Sequence, residues 1–257
     1  MNRTPRGEIL RGEFIGVREM SEQFIRVEML LGKGALIRLQ AAHVMVLGLG
    51  GVGSWCAEGL ARSGVGALTL MDQDEVSLSN LNRQAQALHS TLGQVKAEAM
   101  AARVRDISPD CVVTPIVGRY SPDTREDFFA VRYDYIVDAI DLVSCKLDLI
   151  ETAKSRGIPI ISALGTGNKL DSTAFEVADI SKTIGCPLAR IIRKELRYRG
   201  ITHHKVVYSP ELALPTDQCE TPPPGRRSVP ASVPWVPATA GFLLAGTVVK
   251  DLTGILE

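Results

Sequence analysis

A glycine-rich stretch in the first quarter of the chain has the composition of a phosphate-binding turn. It reads Gly-Leu-Gly-Gly-Val-Gly over residues 48–53, after a predicted buried strand at 43–47 and before a predicted helix at 55–62. Glycine lets backbone amides approach a phosphate closely, and the N-terminus of the following helix adds a partial positive charge. We therefore predict that a nucleotide binds here, through Gly48, Gly50, Gly51, Val52 and Gly53. The alternative is a glycine-rich strand-to-helix turn without a ligand.

A carboxylate follows the next predicted strand. Asp72 ends the strand predicted at 67–71 and lies 19 residues after Gly53, where an acidic side chain can accept hydrogen bonds from ribose hydroxyls. NAD and ATP both present such a ribose. Asp72 therefore indicates a nucleotide but does not identify it.

Two basic residues distinguish between NAD and ATP as the nucleotide that binds here. Arg83 lies in the run Asp-Gln-Asp-Glu-Val-Ser-Leu-Ser-Asn-Leu-Asn-Arg-Gln of residues 72–84, and Lys96 lies in a helix predicted at 93–107. A dehydrogenase needs no cations here, because its glycine turn already holds the pyrophosphate. A triphosphate attacked at its α-phosphorus does need them, since negative charge builds on the phosphate oxygens in the transition state. The pattern favours ATP, with Arg83 and Lys96 as catalytic cations; the alternative for each is a solvated side chain.

Two further carboxylates, Asp138 and Asp141, follow the start of a strand predicted at 135–140. Ligands of parallel sheets bind at the carboxyl edge where such a strand ends. Each residue has a structural alternative: Asp138 as part of the scaffold, and Asp141 as the N-cap of a helix predicted at 143–155.

Composition and charge exclude several classes of protein. The 257 residues are 45% apolar and 23% charged, which is typical of a globular enzyme. The formal net charge is zero, so nucleic acid would have to bind through a local basic patch. The N-terminus lacks the apolar core of a signal peptide, and the longest apolar run, at 240–249, is about half of a membrane span. These features predict a cytoplasmic protein.

The five cysteines are scattered and never spaced as Cys-x-x-Cys, which argues against a disulfide framework and against a structural zinc site. They are Cys56, Cys111, Cys145, Cys186 and Cys219. No activating pattern surrounds Cys186 or Cys219, so inert free thiols are the simpler interpretation.

Hydrophobic periodicity predicts alternating strands and helices. Strands are predicted at 43–47, 67–71, 111–117, 135–140, 158–162, 174–179 and 205–208. Helices are predicted at 55–62, 93–107, 122–129, 143–155, 187–199 and 237–251, after two short ones within 21–39 that break around Gly32 and Gly34. Such alternation indicates βαβ units with right-handed crossovers, hence an α/β, Rossmann-like, doubly wound and mainly parallel sheet.

The chain divides into three predicted segments. Residues 1–42 form an N-terminal arm and short helices, residues 43–170 form the nucleotide-binding domain, and residues 171–257 form a C-terminal substrate-binding extension of the same domain. The extension comprises strands, a basic helix and a proline-rich loop at 210–237, which holds eight of the fourteen prolines. A segment so rich in proline can hardly be regular structure, and we expect it to lie over the active face.

The motifs together resemble the adenylating domain of the ubiquitin-activating-enzyme-like superfamily, of the ThiF and MoeB type. The resemblance runs from about residue 21 to residue 162 and rests on Gly-x-Gly-Gly-Val-Gly, Asp-x-Asp, Ser-x-x-Asn-x-Arg-Gln and Gly-x-x-Lys. It implies ATP as co-substrate, and nucleotide contacts from Asp72, Asp74, Asn80, Arg83, Gln84 and Lys96.

The same resemblance implies two further roles. Asp141 should hold Mg²⁺ on the phosphates, because that ion prefers carboxylate oxygen. Arg26 matches the arginine that reaches the phosphate site of a partner subunit in this family, and so implies a homodimer. Gln23 stands where an arginine is often found, which leaves one auxiliary contact in doubt.

The second half of the chain resembles the tRNA threonylcarbamoyladenosine dehydratase branch of this superfamily, through residues 165–171, 179–183 and 228–241. Members that activate sulfur-carrier proteins usually carry two Cys-x-x-Cys pairs for zinc, and this chain has none. The resemblance implies a ligase-type enzyme that converts the threonyl carboxylate of a modified adenosine to an acyl-adenylate. The neighbouring carbamoyl group then closes onto the activated carbonyl, AMP leaves, and the net change is loss of water.

Three other functions stay open on the sequence alone. One is adenylation of the C-terminal glycine of a ubiquitin-like sulfur-carrier protein, which would use the same nucleotide site. Another is a nicotinamide-dependent oxidoreductase, although no hydride-transfer constellation is present. The third is a catalytically inactive tRNA-binding module, which is hard to reconcile with Asp72, Arg83, Lys96 and Asp141 all being present.

A local excess of basic residues offers a surface for tRNA. Residues 182–205 contain seven lysines or arginines and one glutamate, and such an excess can bind the phosphates of an anticodon stem-loop. The candidates are Arg190, Arg193, Lys194, Arg197, Arg199 and Lys205; the alternative is a solvated amphipathic helix.

Some relatives of this branch carry a cysteine near residues 206–211 that serves sulfur-relay partners. Val206, Val207 and Tyr208 occupy that place here. We therefore expect no persulfide role, while a sulfur-relay protein partner is left open.

Overall fold

The computed structural model describes residues 22–217, 219 and 229–255. The predicted N-terminal arm up to residue 21, Ser228 and the middle of the proline-rich loop lie outside the described residues.

Seven strands form one sheet in the order β3-β2-β1-β4-β5-β7-β6. They are β1 (His43–Leu47), β2 (Ala67–Asp72), β3 (Val112–Val117), β4 (Tyr135–Asp138), β5 (Ile160–Ala163), β6 (Glu176–Asp179) and β7 (Lys205–Tyr208). Neighbouring strands pair in parallel, except for β6, which runs antiparallel to β7. The predicted α/β class with a mainly parallel sheet is therefore confirmed.

Eight α-helices accompany the sheet within the described residues. They are α1 (Ile25–Leu31), α2 (Lys33–Ala41), α3 (Gly53–Arg62), α4 (Lys96–Ile107), α5 (Arg125–Phe128), α6 (Val143–Ser155), α7 (Pro187–Tyr198) and α8 (Trp235–Thr253). None of these helices combines the length and the hydropathy of a membrane span.

Several boundaries differ from the predicted ones, and the starts of two helices differ for identifiable reasons. The helix predicted from residue 93 begins at Lys96, because Gly93 and Gln94 exchange backbone hydrogen bonds with Val76 instead of joining the helix. The last helix begins at Trp235, two residues before the prediction. Its Pro237 is tolerated because the first turn of a helix has no intrahelical acceptor for its N–H groups.

The side chains of the sheet alternate between two hydrophobic cores. Val44 and Val46 of β1 face a core that they share with α2, α3, α4 and α8. Met45 and Leu47 face the opposite core, which is shared with α5, α6 and α7. The sheet is therefore covered on both faces, as a doubly wound fold requires.

The C-terminal helix α8 packs closely against α3, the helix that follows the glycine turn. A Cβ atom built on Gly241 of α8 would lie 2.5 Å from the carbonyl oxygen of Val52, and one on Gly59 of α3 would lie 2.8 Å from Cβ of Ala245. Only glycine permits these approaches. The strand β7 also inserts beside β5, so residues after 170 share the sheet and core of the nucleotide-binding half.

Candidate active site

The predicted site lies where the order of strands reverses. The strand β1 lies between β2 and β4, and the carboxyl ends of these three parallel strands meet at one edge of the sheet. Such a reversal opens a crevice that binds ligands in open α/β sheets. The glycine turn follows β1 directly into this crevice.

Steric contacts explain the glycines of the turn. A Cβ atom on Gly53 would lie 1.8 Å from the carbonyl oxygen of Gly48, and one on Gly48, whose φ is +83°, would lie 2.6 Å from that of Ala139. At Gly50 nothing lies within 4 Å of the corresponding position. The turn is therefore closed on its inner side and open at Gly50, and its last residue begins helix α3. This is the geometry that cradles a phosphate.

Two side chains hold Leu49 at the centre of this turn. The carboxylate of Asp72 accepts a hydrogen bond from the Leu49 amide at 2.7 Å, and the amide nitrogen of Gln86 donates to the Leu49 carbonyl at 2.7 Å. Asp72 also accepts from the amide of Asp74 at 2.9 Å. Each carboxylate oxygen has a second lone pair, so Asp72 can brace the turn and still accept from a ribose. Gln86 could not be predicted from the sequence, because a single glutamine outside a motif carries no signal.

Arg83 lies beside the glycine turn. A Cβ atom on Gly51 would lie 3.4 Å from Cγ of Arg83, and the Arg83 carbonyl accepts from the indole N–H of Trp55 at 2.9 Å. Nη1 of its guanidinium donates to the Ser79 carbonyl at 2.8 Å and to Asn82 Oδ1 at 2.9 Å. Since a guanidinium has five N–H groups, Arg83 keeps donors for a phosphate while its stem is fixed.

Lys96 is a buried cation at the N-terminus of α4. Its side chain is 8% exposed, and Nζ lies 3.1 Å from Oδ2 of Asp74, whose side chain is 59% exposed. The backbone N–H of Lys96 also donates to the Asp74 carbonyl at 2.9 Å. Lys96 is therefore not a solvated surface lysine, because its side chain is buried and its ammonium is paired with Asp74.

Two polar residues of the Arg83 loop are buried. Asn80 Oδ1 accepts from the backbone N–H of Ser77 at 3.2 Å, and the Asn80 carbonyl accepts from the amides of Arg83 and Gln84. Oε1 of Gln84 is buried and has no hydrogen-bond partner among the described residues. A buried amide oxygen without a hydrogen-bond donor lowers the stability of the fold unless a ligand or a water donates to it. A ribose hydroxyl can be such a donor.

Asp138 is fully buried at the end of β4. Its Oδ2 accepts from Nζ of Lys146 at 2.7 Å and from Oγ of Ser162 at 2.6 Å. Its Oδ1 accepts from the amide of Ile140 at 3.0 Å. This bond ends the strand at Asp138, two residues earlier than predicted, and fixes the loop that leads to Asp141. Asp138 is therefore part of the scaffold.

Asp141 is exposed and lies just before α6. The N-cap of this helix is Leu142, so an N-cap role for Asp141 is wrong. The described residues contain no group of three or more His, Cys, Asp or Glu side chains that could hold a metal ion. A Mg²⁺ ion bound through one carboxylate, substrate phosphates and water needs no such group, and Asp141 fits that mode.

His204 extends the network under the site from the C-terminal half of the chain. Its ring is 1% exposed, and Nε2 lies 2.8 Å from Oγ of Ser162. Because the Ser162 hydroxyl donates to Asp138, Nε2 must carry the proton and donate to Ser162. Burial is the main cause that lowers the pKa of His204 to about 3, and Lys154 and Lys146 lower it further. The imidazole is therefore neutral at physiological pH.

The start of α8 and the segment before it border the glycine turn and the Arg83 loop. A Cβ atom on Gly51 would lie 3.0 Å from Cβ of Pro237. Asn82 Nδ2 donates to the Ser232 carbonyl at 3.0 Å, which ties this segment to the Arg83 loop. Residues 229–237, the end of the proline-rich loop, thus border the site.

Arg26 does not lie at the nucleotide site of its own chain. It is exposed on α1, and Gln23, three residues earlier, donates to the carbonyl of Ile107 at the far end of α4. Lys96 at the start of α4 is about 17 Å away along the helix axis. Within the part of the chain that the structure describes, the side chain of Arg26 makes no hydrogen bond or ion pair.

Four of the predicted tRNA-binding residues gather on α7. A shallow depression of about 420 Å³ is lined by Tyr198 together with Arg190, Arg193, Lys194 and Arg197. Arg193 also donates to the carbonyl and the hydroxyl of Thr183 at 2.7 and 2.6 Å, so part of its guanidinium supports the fold.

The structure does not bring the other two predicted tRNA-binding residues into this group. Arg199 is paired with Glu151 at 3.1 Å. Lys205 is paired with Asp251 of α8 at 2.6 Å, and the neighbouring Val207 belongs to the core shared with α8. Lys205 therefore lies on the opposite face of the sheet from α7.

The cysteines are all free, and Cys219 alone among them is exposed. Cys186 caps α7, its sulfur accepting from the Ala189 amide at 3.5 Å. Burial raises the pKa of Cys56, and it raises that of Cys111 to about 11, which makes both thiols poor nucleophiles.

Three comparisons with known proteins agree on a family. The sequence pattern of the ThiF family matches residues 22–257. The chain is 41% identical over 247 residues to tRNA threonylcarbamoyladenosine dehydratase of Bacillus subtilis (strain 168), covering 93% of this chain and 97% of that protein. It is similar to the crystal structure of the E. coli tRNA N6-threonylcarbamoyladenosine dehydratase in complex with ATP, with a TM-score of 0.81 and 37% identity over 90% of this chain and 94% of that one.

A relative with another acceptor matches a shorter part of the chain. Molybdopterin-synthase adenylyltransferase of Salmonella typhimurium is 37% identical over 137 residues, which cover 53% of this chain and 55% of that protein. The glycine turn, its flanking cations and the family match over nearly the whole described chain lead to one conclusion: the chain belongs to the ThiF family.

Proposed function

We propose that this protein is an ATP-dependent enzyme that dehydrates threonylcarbamoyladenosine in tRNA. A carboxylate oxygen of the threonyl group attacks the α-phosphorus of ATP, the bond to the β-phosphate oxygen breaks, and pyrophosphate leaves. The carbamoyl group then attacks the acyl-adenylate carbonyl and expels AMP. Because the ring closure is intramolecular, the enzyme mainly positions the intermediate and keeps water away from it.

One observation carries this proposal. The segment at 229–241, which belongs to the stretch that resembles the dehydratase branch, borders the glycine turn through Pro237 and the Arg83 loop through Ser232. The dehydratase of Bacillus subtilis matches over 93% of this chain, whereas the match to the molybdopterin-synthase adenylyltransferase covers 53%. The residues that would meet the acceptor therefore follow the dehydratase pattern.

The side chains at the turn divide the work of adenylation. Backbone amides of the turn and the N-terminus of α3 bind phosphate oxygens, while Asp72 and Gln84 offer acceptors to the ribose. Arg83 and Lys96 neutralise the charge that builds on the α-phosphate, a kind of interaction whose removal lowers kcat about 100- to 1,000-fold.

Asp141 is proposed to hold Mg²⁺ on the phosphates. When bound, the ion would neutralise negative charge on the phosphates. The proposal is supported by the position of Asp141 on the loop that Asp138 fixes at the carboxyl end of β4.

A homodimer is proposed in which Arg26 reaches the phosphate site of the partner. Helix α1 exposes the side chains of Met29 and Leu30, at 80% and 84%, and large exposed apolar side chains on one helix favour association. Arg26 on the same helix is remote from its own site, which supports an action across the interface. Size-exclusion chromatography with light scattering on Met29→Ser and the unaltered protein would test this association.

The exposed part of the α7 surface is proposed to bind the tRNA phosphates. Arg190, Lys194 and Arg197 are exposed there beside Tyr198, and long basic side chains next to an aromatic ring suit an RNA backbone. Because ATP and tRNA occur together in the cytoplasm, we expect the enzyme to act there. The sulfur-relay partner that the sequence leaves open gains no support from Cys56 or Cys111, because burial raises the pKa of both thiols.

The second candidate function is adenylation of a carrier protein with a C-terminal glycine. It is favoured by the 37% identity to the molybdopterin-synthase adenylyltransferase over the nucleotide-binding half. Exchange of labelled pyrophosphate into ATP would be measured with modified tRNA and, separately, with a carrier that ends in Gly-Gly. The proposed function requires exchange that depends on the tRNA; exchange that depends on the carrier alone would reject it.

A further inference from the structure

Trp235 is a half-exposed indole beside the nucleotide site that the reaction described above does not use. It opens helix α8 and is 50% exposed. Its N–H donates to the carbonyl of Leu170 at 2.8 Å, so the polar edge of the ring is satisfied within the protein. What the ring presents to solvent is therefore apolar π surface.

The ring lies next to the glycine turn and the Arg83 loop. Two residues after it, Pro237 packs on Gly51 of the glycine turn. Three residues before it, Ser232 is hydrogen-bonded to Asn82, the neighbour of Arg83. Trp235 is thus held between the nucleotide turn and the loop that contains Leu170.

The support of the ring is rigid. Asn168 and Ala231 exchange two hydrogen bonds, from the Asn168 amide to the Ala231 carbonyl at 2.8 Å and from the Ala231 amide to Asn168 Oδ1 at 2.7 Å. A Cβ atom on Gly167 would lie 2.6 Å from Cβ of Pro230, so the two segments touch. A fixed aromatic ring loses little conformational entropy when a ligand stacks on it.

We propose that Trp235 is a stacking platform for a nucleobase of the tRNA anticodon loop, next to the modified adenosine. This inference rests on the proposed function. Unpaired RNA bases are recognised by stacking on aromatic side chains, and a base that stacks on such a ring accounts for roughly a 5- to 150-fold effect on binding. The flanking Leu170, which is 53% exposed, extends the apolar surface along the edge of the ring.

The test compares substitutions that separate the ring from its hydrogen bond. Trp235→Phe keeps an aromatic face and loses the N–H, whereas Trp235→Leu loses both. We expect Trp235→Leu to raise KM for modified tRNA at least fivefold, with kcat and KM for ATP within twofold of the unaltered protein. Trp235→Phe should keep KM for tRNA within about threefold. Phe242→Leu is the matched control, since Phe242 is a 47% exposed aromatic of the same helix, and it should leave KM for tRNA unchanged.

Intrinsic fluorescence gives a second readout that does not depend on turnover. An unmodified anticodon stem-loop RNA should quench the tryptophan emission of the unaltered protein, and this quenching should be lost in Trp235→Phe. Equal KM for tRNA in Trp235→Leu and the unaltered protein would overturn the stacking proposal while the dehydration reaction stands. Equal losses of stability and of ATP affinity in both Trp235 variants would assign the ring to structural support and would also overturn it.

If Trp235→Leu instead weakened only a carrier protein that ends in Gly-Gly, the occupant would be a peptide, and the proposal would be wrong. If the unaltered protein did not dehydrate the modified tRNA, the proposed function itself would be wrong. Quenching by the stem-loop RNA would then show whether the RNA still binds at Trp235.

Discussion

Acidification should destabilise the fold through His204. The imidazole is buried between β5 and the helix α6: Nε2 donates to Ser162, Lys146 and Lys154 oppose a positive charge, and Asp179 favours one less strongly. Burial and the two lysines lower the pKa of His204 to about 3, from 6.5 in the unfolded chain. The unfolded chain therefore binds a proton below pH 6.5, while the folded chain stays neutral to about pH 3.

The sign and size of the effect follow from this difference. The stability contributed by neutral His204 is complete above pH 6.5 and is lost as the pH falls from 6.5 towards 3. Linkage gives a loss of about 2 kcal/mol in the free energy of unfolding between pH 7 and pH 5. That is a large part of the stability of a typical domain.

Urea unfolding at pH 7, 6 and 5 would measure this loss, in the unaltered protein and in His204→Gln. Glutamine can donate to Ser162 but does not titrate, so the variant should lose about 2 kcal/mol less between pH 7 and pH 5. His89→Gln is the control, because His89 is exposed, and it should keep the pH dependence of the unaltered protein. Identical pH dependence in His204→Gln and the unaltered protein would refute the burial of a neutral histidine in this network.

Four substitutions test the site itself. Arg83→Ala should lower the rate of tRNA-dependent pyrophosphate exchange about 100- to 1,000-fold with little change in urea stability. Asp141→Asn should raise the Mg²⁺ concentration needed for half-maximal AMP release, because the proposed metal ligand loses its charge. Gln86→Leu leaves the Leu49 carbonyl without its side-chain donor, and should cost about 1–3 kcal/mol in urea unfolding and weaken ATP binding in calorimetry. Gly53→Ala should abolish ATP binding in the same calorimetric assay, since its Cβ would meet the Gly48 carbonyl at 1.8 Å.

The class of fold could be predicted because its signals are local. Strand β1 alternates between two cores and is followed directly by glycines, which together predict a parallel strand, a tight turn and a helix. A strand was predicted at 174–179, but the antiparallel direction of β6 and the early end of β4 could not be predicted in this way. They depend on partners far along the chain, such as Ser162 and Lys146 around Asp138.

The site was predictable where a residue belongs to a motif and unpredictable where it acts through the fold. Arg83 was expected at the turn from its type and spacing, and its side chain packs beside Gly51. Lys96 pairs with Asp74, whose amide donates to the Asp72 carboxylate that braces the turn. Gln86 contacts Leu49 and His204 contacts Ser162. These tertiary contacts leave no pattern in the local sequence. The basic residues predicted to bind tRNA do not share one surface, because charge along the sequence does not reveal that Lys205 faces α8, on the other side of the sheet from α7.

Mass spectrometry of tRNA nucleosides tests the central claim most directly. Threonylcarbamoyladenosine-containing tRNA would be incubated with the protein, ATP and Mg²⁺, then digested to nucleosides and analysed alongside a reaction without ATP. The proposed reaction predicts that the modified adenosine loses one water, with one AMP formed for each nucleoside converted. An unchanged nucleoside, in a reaction where the same preparation adenylates a carrier protein, would contradict it.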